Sequence, residues 1–268
     1  MIFNKTGRLL KNYTFSFKSR SLACVKEYKY LGFLVTPSGA IKSGLEDLRI
    51  RSLKAFAKLK KSLGTDFRLN ISNTIHLFNY MIRPILLYCS DFWGCLKTPK
   101  NNPIDSLHLS FCKQVLGVHK RTSTDGVLQE LGLFPLPLQA MKMAIKNWER
   151  IHNQKANPII IASHIDAIQR DLPWESSIRD TFMKNGMLDA FLAKRDNSDN
   201  NKVSLANMLL KRQIDQFNQT SMETIRQSNK LKILSLLKQN SGTETYLTEI
   251  NNPNHRCAMA QFIGNRKR

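Results

Sequence analysis

The residues able to do chemistry are few and scattered. Cys89, Cys95, His108 and Cys112 follow the spacing C-x5-C-x12-H-x3-C, close to that of small zinc modules, in which thiolates and imidazole close a tetrahedron around the ion. The five-residue interval is too long for a tight zinc turn. Cys89 and Cys112 also fall on apolar helical faces, where a thiol packs as a small hydrophobe without metal. Cys112 follows His108 by one helical turn, with Asp105 the nearest carboxylate, so a nucleophilic pair and simple packing both fit the spacing. The other histidines are isolated and read as structural or solvated. Neither G-x-x-x-x-G-K-[ST] nor G-x-G-x-x-G occurs, which leaves no phosphate-cradling loop of those types. No two aspartates are adjacent, and the basic half offers no carboxylate cluster to hold two metal ions for phosphoryl transfer.

Positive charge is the stronger signal. The 268 residues carry a net charge of +21. Residues 1–65 contain 14 Lys/Arg against Glu27, Glu46 and Asp47, whereas residues 164–200 hold seven acidic groups against five basic ones. The chain turns basic again from Lys202 and closes on Arg266-Lys267-Arg268. Such asymmetry focuses a field on one part of the molecule and fits a phosphate backbone better than general solubility does. The other reading of the same charge is a helical interaction scaffold for an acidic protein partner, with the acidic 164–200 segment able to cover the basic face within the same molecule. No apolar run reaches the ~20 residues of a membrane span. No signal-peptide pattern is seen, and five cysteines without a C-x-x-C pair suit reduced thiols. The expectation is an intracellular protein, nuclear or cytoplasmic and not secreted, with no membrane partner.

The elements that must position these groups follow from periodicity. Tyr13, Phe15 and Phe17 alternate with polar residues as in a half-buried strand, and Tyr28 to Thr36 is a second β-type run ending at Pro37-Ser38-Gly39. Beyond that turn the pattern is helical. Ser43 and Glu46 read as a capping box opening a helix that ends at Gly64. Leu45, Leu48, Ser52, Phe56, Leu59 and Leu63 form its inner face, while Arg51, Lys54, Lys58 and Lys61 form a cationic stripe about 100° away. Further helices are expected over Ser72–Trp93, kinked or split at Pro84, and from Asn102-Pro103 to Gly117. Others are expected near 126–131, 138–154, 158–170, 174–184 and 203–239, with a polar linker at 196–201. The fold class is mainly α, with a small N-terminal antiparallel β element. The divisions are 1–39 (β element), 40–140 (helical) and 141–268 (helical).

Four blocks occur in an order that is familiar. Met1 to Arg8, Lys29-Tyr30-Leu31-Gly32-Phe33 with Pro37-Ser38-Gly39, Pro84 to Gly94, and Gln129-Glu130-Leu131-Gly132 with Pro135 together resemble the C-terminal half of the reverse transcriptases of non-LTR (LINE-type) retrotransposons. The first block is similar to the strand after palm motif D, and the second to the primer-grip hairpin with its Lys-Tyr-Leu-Gly signature. The third is similar to the family's P-x-L-x-Y-G-S-E-x-W-G, and the fourth to its E-L-G-x-x-P. The resemblance covers about residues 1–140.

The resemblance implies roles. Lys29, Tyr30, Leu31 and Gly32 would sit at the primer grip, which holds the 3′ end of a growing strand. The 43–63 helix would belong to the thumb, with Arg51, Lys54, Lys58 and Lys61 tracking an RNA/DNA duplex. Packing within a sheet is the other reading of Tyr30 and Leu31. The family's catalytic [FY]-A-D-D and motif D lysine have no counterpart here, and its C-terminal Cys/His knuckle is not found. Cys89 stands where glycine is usual and Asp91 where glutamate is usual. The expectation is therefore a catalytically incomplete grip and thumb, without a cofactor of its own. Mg²⁺ would be needed only by the complete parent enzyme, whose N-terminal polymerase part becomes a second candidate partner.

Overall fold

Four three-residue strands make two separate antiparallel hairpins near the N-terminus. Strand β1 (Phe15–Phe17) pairs with β2 (Arg20–Leu22), and β3 (Tyr28–Tyr30) pairs with β4 (Phe33–Val35). The computed structural model describes Arg8 and residues 14–64, 70–98, 102–153, 155–170, 172–196, 203–238 and 242–264. The strand expected at Met1 to Arg8, Tyr13, the linker from Asn197 to Asn201 and the closing Arg266-Lys267-Arg268 lie outside the described residues, apart from Arg8. Two expectations for the β element are corrected. The 15–17 strand is exposed throughout rather than half-buried. The 28–36 run folds back on itself at Leu31-Gly32, with Tyr28 opposite Val35 and Tyr30 opposite Phe33.

The helical body is as periodicity indicated, with corrections at the breaks. Helix α1 (Lys42–Leu63) buries Leu45, Leu48, Ser52, Phe56 and Leu59. Its capping box is not formed, because Ser43 already lies inside the helix and Glu46 binds Arg49 through a forked pair of contacts, the shortest 2.6 Å. That pairing holds the Glu46 carboxyl below its ordinary range. The region 72–93 splits at Pro84 into α2 (Ile71–Met81), capped by Asn70, then α3 (Arg83–Leu86) and α4 (Ser90–Trp93). The break changes the phase of the inner face, so Leu86 and Leu87 are buried there while Ile85 is only half-buried. Helix α5 (Pro103–Leu116) has its expected Asn102 cap and left-handed Gly117 stop. Helices α6 (Thr124–Glu130), α7 (Leu136–His152), α8 (Pro158–Gln169) and α9 (Pro173–Lys184) follow.

Helix α10 (Leu188–Arg195) was not marked in the sequence, its short apolar pattern lying within an acidic stretch. The expected 203–239 helix is two, α11 (Leu205–Gln227) and α12 (Lys232–Leu237), broken at the extended Ser228. The short α13 (Tyr246–Glu249) and α14 (Pro253–Ile263) complete the described chain.

Three apolar clusters hold these elements. The largest joins α1 to α6 through Leu48, Phe56, Phe78, Phe111 and Leu116, and also takes in Leu247 and Ala260 from the far end of the sequence. A second surrounds Trp148 with Met141, Ile178, Phe182, Phe191 and Leu209. A third packs Ile225, Leu231, Leu234 and Ile263. Helix α7 contributes to two of them, with Leu136 and Ala140 in the first and Met141, Ile145 and Trp148 in the second. No disulfide joins the cysteines, and no helix among the described residues is long and apolar enough to cross a membrane.

Candidate nucleic-acid interface

The β3–β4 turn is the first built feature of the surface. Its two central residues, Leu31 (φ 44°) and Gly32 (φ 90°), both have positive φ, the conformation a two-residue hairpin with the normal strand twist requires. Glycine adopts it freely, whereas leucine pays steric strain of about 1 kcal/mol. Two side chains from outside the hairpin hold the turn. The Tyr88 hydroxyl donates to the Leu31 carbonyl, and Arg51 Nη2 donates to the Gly32 carbonyl at 2.7 Å. The guanidinium also lies 5.9 Å from the centre of the Tyr88 ring, so the two anchors support each other.

Below the turn, Phe33 fits against Gly44 of α1. A Cβ added at that glycine would stand 2.3 Å from the Phe33 ring, so any side chain there would displace the ring. The ring also meets Phe92 of α4 edge-on, with centroids 6.5 Å apart.

The arrangement leaves the tip facing solvent. Tyr30 is 62% and Leu31 74% exposed, and Tyr28 is exposed beside them. Packing within a sheet therefore does not account for Tyr30 and Leu31. An exposed aromatic and an exposed leucine on a turn tied down at both carbonyls make a rigid apolar contact rather than a loose loop.

The cationic stripe divides into two parts. Asp47 bridges Lys29 at 3.2 Å and Arg51 at 2.9 Å, so these two cations are partly neutralised and serve to clamp β3 and the turn onto α1. Lys54, Lys58 and Lys61 continue the row along α1, are exposed, and pair with no carboxylate among the described residues. The expectation of four equivalent cations is thus corrected to one structural arginine followed by three open lysines. Among the described residues, no carboxylate of the 164–200 segment pairs with Lys54, Lys58 or Lys61. Asp166 pairs with Arg170, Asp196 with Arg195, and Glu175 takes the Trp148 indole N–H.

A second cationic concavity lies along α7. A cleft of about 1,080 Å³ is lined by Lys146, Arg150, Lys155 and Lys194, and also by Glu149 and by Asp91 of α4. Helix α4 therefore touches the hairpin through Phe92 and this cleft through Asp91.

The cysteine readings are overturned by geometry. No three of Cys89, Cys95, His108 and Cys112 converge, and the sole group of three or more ligand-type side chains among the described residues is His152, His164 and Glu175. Cys95 packs into the cluster around Trp148, and burial pushes its thiol up to about 12. Cys112 and His108 meet at 3.6 Å inside the first core, beside Phe78. Burial holds the imidazole down to about 4 and raises the thiol well above its usual range, so the pair is uncharged and no thiolate forms. Cys89 sits at φ 56°, a left-handed position before α4.

The His152, His164 and Glu175 group gave no sequence signal, because its members come from α7, α8 and α9 with ten or more residues between each. The chain matches no protein-family description, no curated protein and no solved structure.

Proposed function

We propose that this chain binds a nucleic-acid duplex through the β3–β4 tip and the open lysines of α1, as the grip and thumb of a non-LTR retrotransposon reverse transcriptase would. The observation that carries the reading is Arg51. It is the first member of the cationic row and at the same time the anchor of the turn, so an exposed apolar tip and three open lysines belong to one rigid piece. Lysines spaced along a helix suit successive phosphates, which position a duplex without reading its sequence. The tip offers Tyr30 and Leu31 to a sugar or base face where a strand ends. Cys89 adds support: the resemblance calls for glycine there, and the backbone has the left-handed conformation glycine prefers.

The reading is one of binding rather than catalysis. Polymerisation at two Mg²⁺ ions would need carboxylates from a separate polymerase part, the second partner the resemblance implies. The test compares the protein with Lys54→Glu/Lys58→Glu on an RNA/DNA primer–template across a salt series. Weaker binding is expected, with the slope of log K against log salt flatter by about 1–2, since each lost phosphate contact contributes about 0.9. An unchanged slope overturns the proposal, as does salt-sensitive binding to an acidic polypeptide but not to the duplex.

A further inference from the structure

Three side chains from three helices converge in the wall of the second core. His152 Nε2 of α7 lies 3.2 Å from His164 Nε2 of α8, and His164 Nε2 lies 3.5 Å from Glu175 Oε2 of α9. All three ligand atoms fall within 4.8 Å of one another. Two ligands bound to zinc at about 2.0–2.1 Å with a tetrahedral angle stand about 3.3–3.4 Å apart, close to the 3.2 and 3.5 Å that separate His164 from its two neighbours. From the geometry we infer that His152, His164 and Glu175 form a Zn²⁺ site, with three protein ligands and an open fourth position.

Hydrogen bonding alone serves this cluster poorly. One ring nitrogen of His164 faces both another ring nitrogen and a carboxylate oxygen, and a single N–H cannot point at both. An ion at the common centre takes a lone pair from each. The supporting groups are those a metal site needs. The Trp148 indole donates to both Glu175 oxygens, at 3.0 and 3.2 Å, and so fixes the carboxylate. The Trp148 ring packs on His152, with centroids 4.4 Å apart, and Trp174 meets His164 edge-on. Burial favours the neutral form of both imidazoles, the form that coordinates.

The His164 and Glu175 side chains are 6% and 12% exposed, and His152 is half-buried. Lys194, Arg195 and Arg179 lie near the cluster and act on its ionisable groups. Their charge opposes a bare cation and favours an anionic fourth ligand such as hydroxide or a carboxylate. The inference is independent of the nucleic-acid reading, since none of these residues belongs to the hairpin or to α1.

The test is metal binding by the full chain. Stripped protein titrated with ZnCl₂ against a chromogenic chelator should take up one equivalent and melt at a higher temperature. Loaded instead with Co²⁺, it should show a four- or five-coordinate visible spectrum without a thiolate charge-transfer band. Glu175→Gln keeps the shape and an oxygen for Trp148, and His164→Ala removes a ligand outright. Each should weaken zinc at least tenfold and abolish the thermal shift. Cys95→Ser and Cys112→Ser should change neither. Failure of the native chain to bind zinc overturns the inference, as does a thiolate band or undiminished affinity in folded Glu175→Gln.

Discussion

The hairpin with α1 and the region from α6 to α14 use polar groups in opposite ways. The first clamps a turn with one arginine and one tyrosine and leaves Lys54, Lys58 and Lys61 in water, where charge is available to a partner and adds little to stability. The second also buries several polar side chains. Glu130 meets Tyr246, Lys238 reaches Glu244 at 2.8 Å with almost no exposure, Glu149 accepts from the Leu205 amide, and Glu175 accepts from Trp148. Removing an exposed charge should cost little stability, whereas cutting a buried polar contact should cost more, because the group left behind stays desolvated.

The largest expected effect lies in the second region. Phe182→Ala removes a fully buried ring from the cluster around Trp148 and should cost about 4 kcal/mol. Urea denaturation measures the loss, and the salt slope of duplex binding under folding conditions should be unchanged. A changed slope would break the separation between the regions.

Glu130 gives the next effect, and it depends on pH. Burial raises its carboxyl from 4.5 to about 7, opposed by the Tyr246 hydroxyl and by Lys238 and reinforced by Glu244. The folded protein therefore keeps a proton that the unfolded chain loses. Stability from this group is complete below about pH 4.5 and is lost as pH rises through 7. Glu130→Gln should leave stability at pH 4 unchanged and raise it by about 2–3 kcal/mol at pH 8.5. Equal melting temperatures for both proteins at pH 8.5 would remove the claim.

Gly44→Ala sharpens the comparison from the other side. The added Cβ drives into Phe33 and should cost about 2 kcal/mol while also weakening duplex binding, because the hairpin is displaced from α1. Retained tip geometry, read as unchanged protection of Tyr30 from proteolysis, would count against the clamp. The smallest effect is a gain. Cys89→Gly relieves a left-handed non-glycine residue and should stabilise the protein by about 1 kcal/mol, visible as a higher denaturation midpoint.

Legibility in the sequence followed the same division. The α1 face and its lysine stripe were readable because helical period and exposure are local properties of consecutive residues. The Asn102-Pro103 start and Gly117 stop of α5 were readable for the same reason. The role of Arg51 was not, since spacing on a helix cannot say which cation turns back to a carbonyl nineteen positions earlier. The Ser43–Glu46 cap misled because the same two residues also suit a first turn already under way. Helix α10 was hidden by the acidic residues around it. The imidazole and carboxylate cluster was beyond reach, because it depends on how three helices pack and not on any one of them.

Helix α7 binds the two regions into one mechanical object. Its first turn is locked among the residues that carry α4, and its last turn bears Trp148 and His152. Seventeen residues at about 1.5 Å each give a stiff rod some 25 Å long, with no proline or glycine beyond its first turn to let it bend. The halves of this molecule should thus melt together in a single heat-absorption peak.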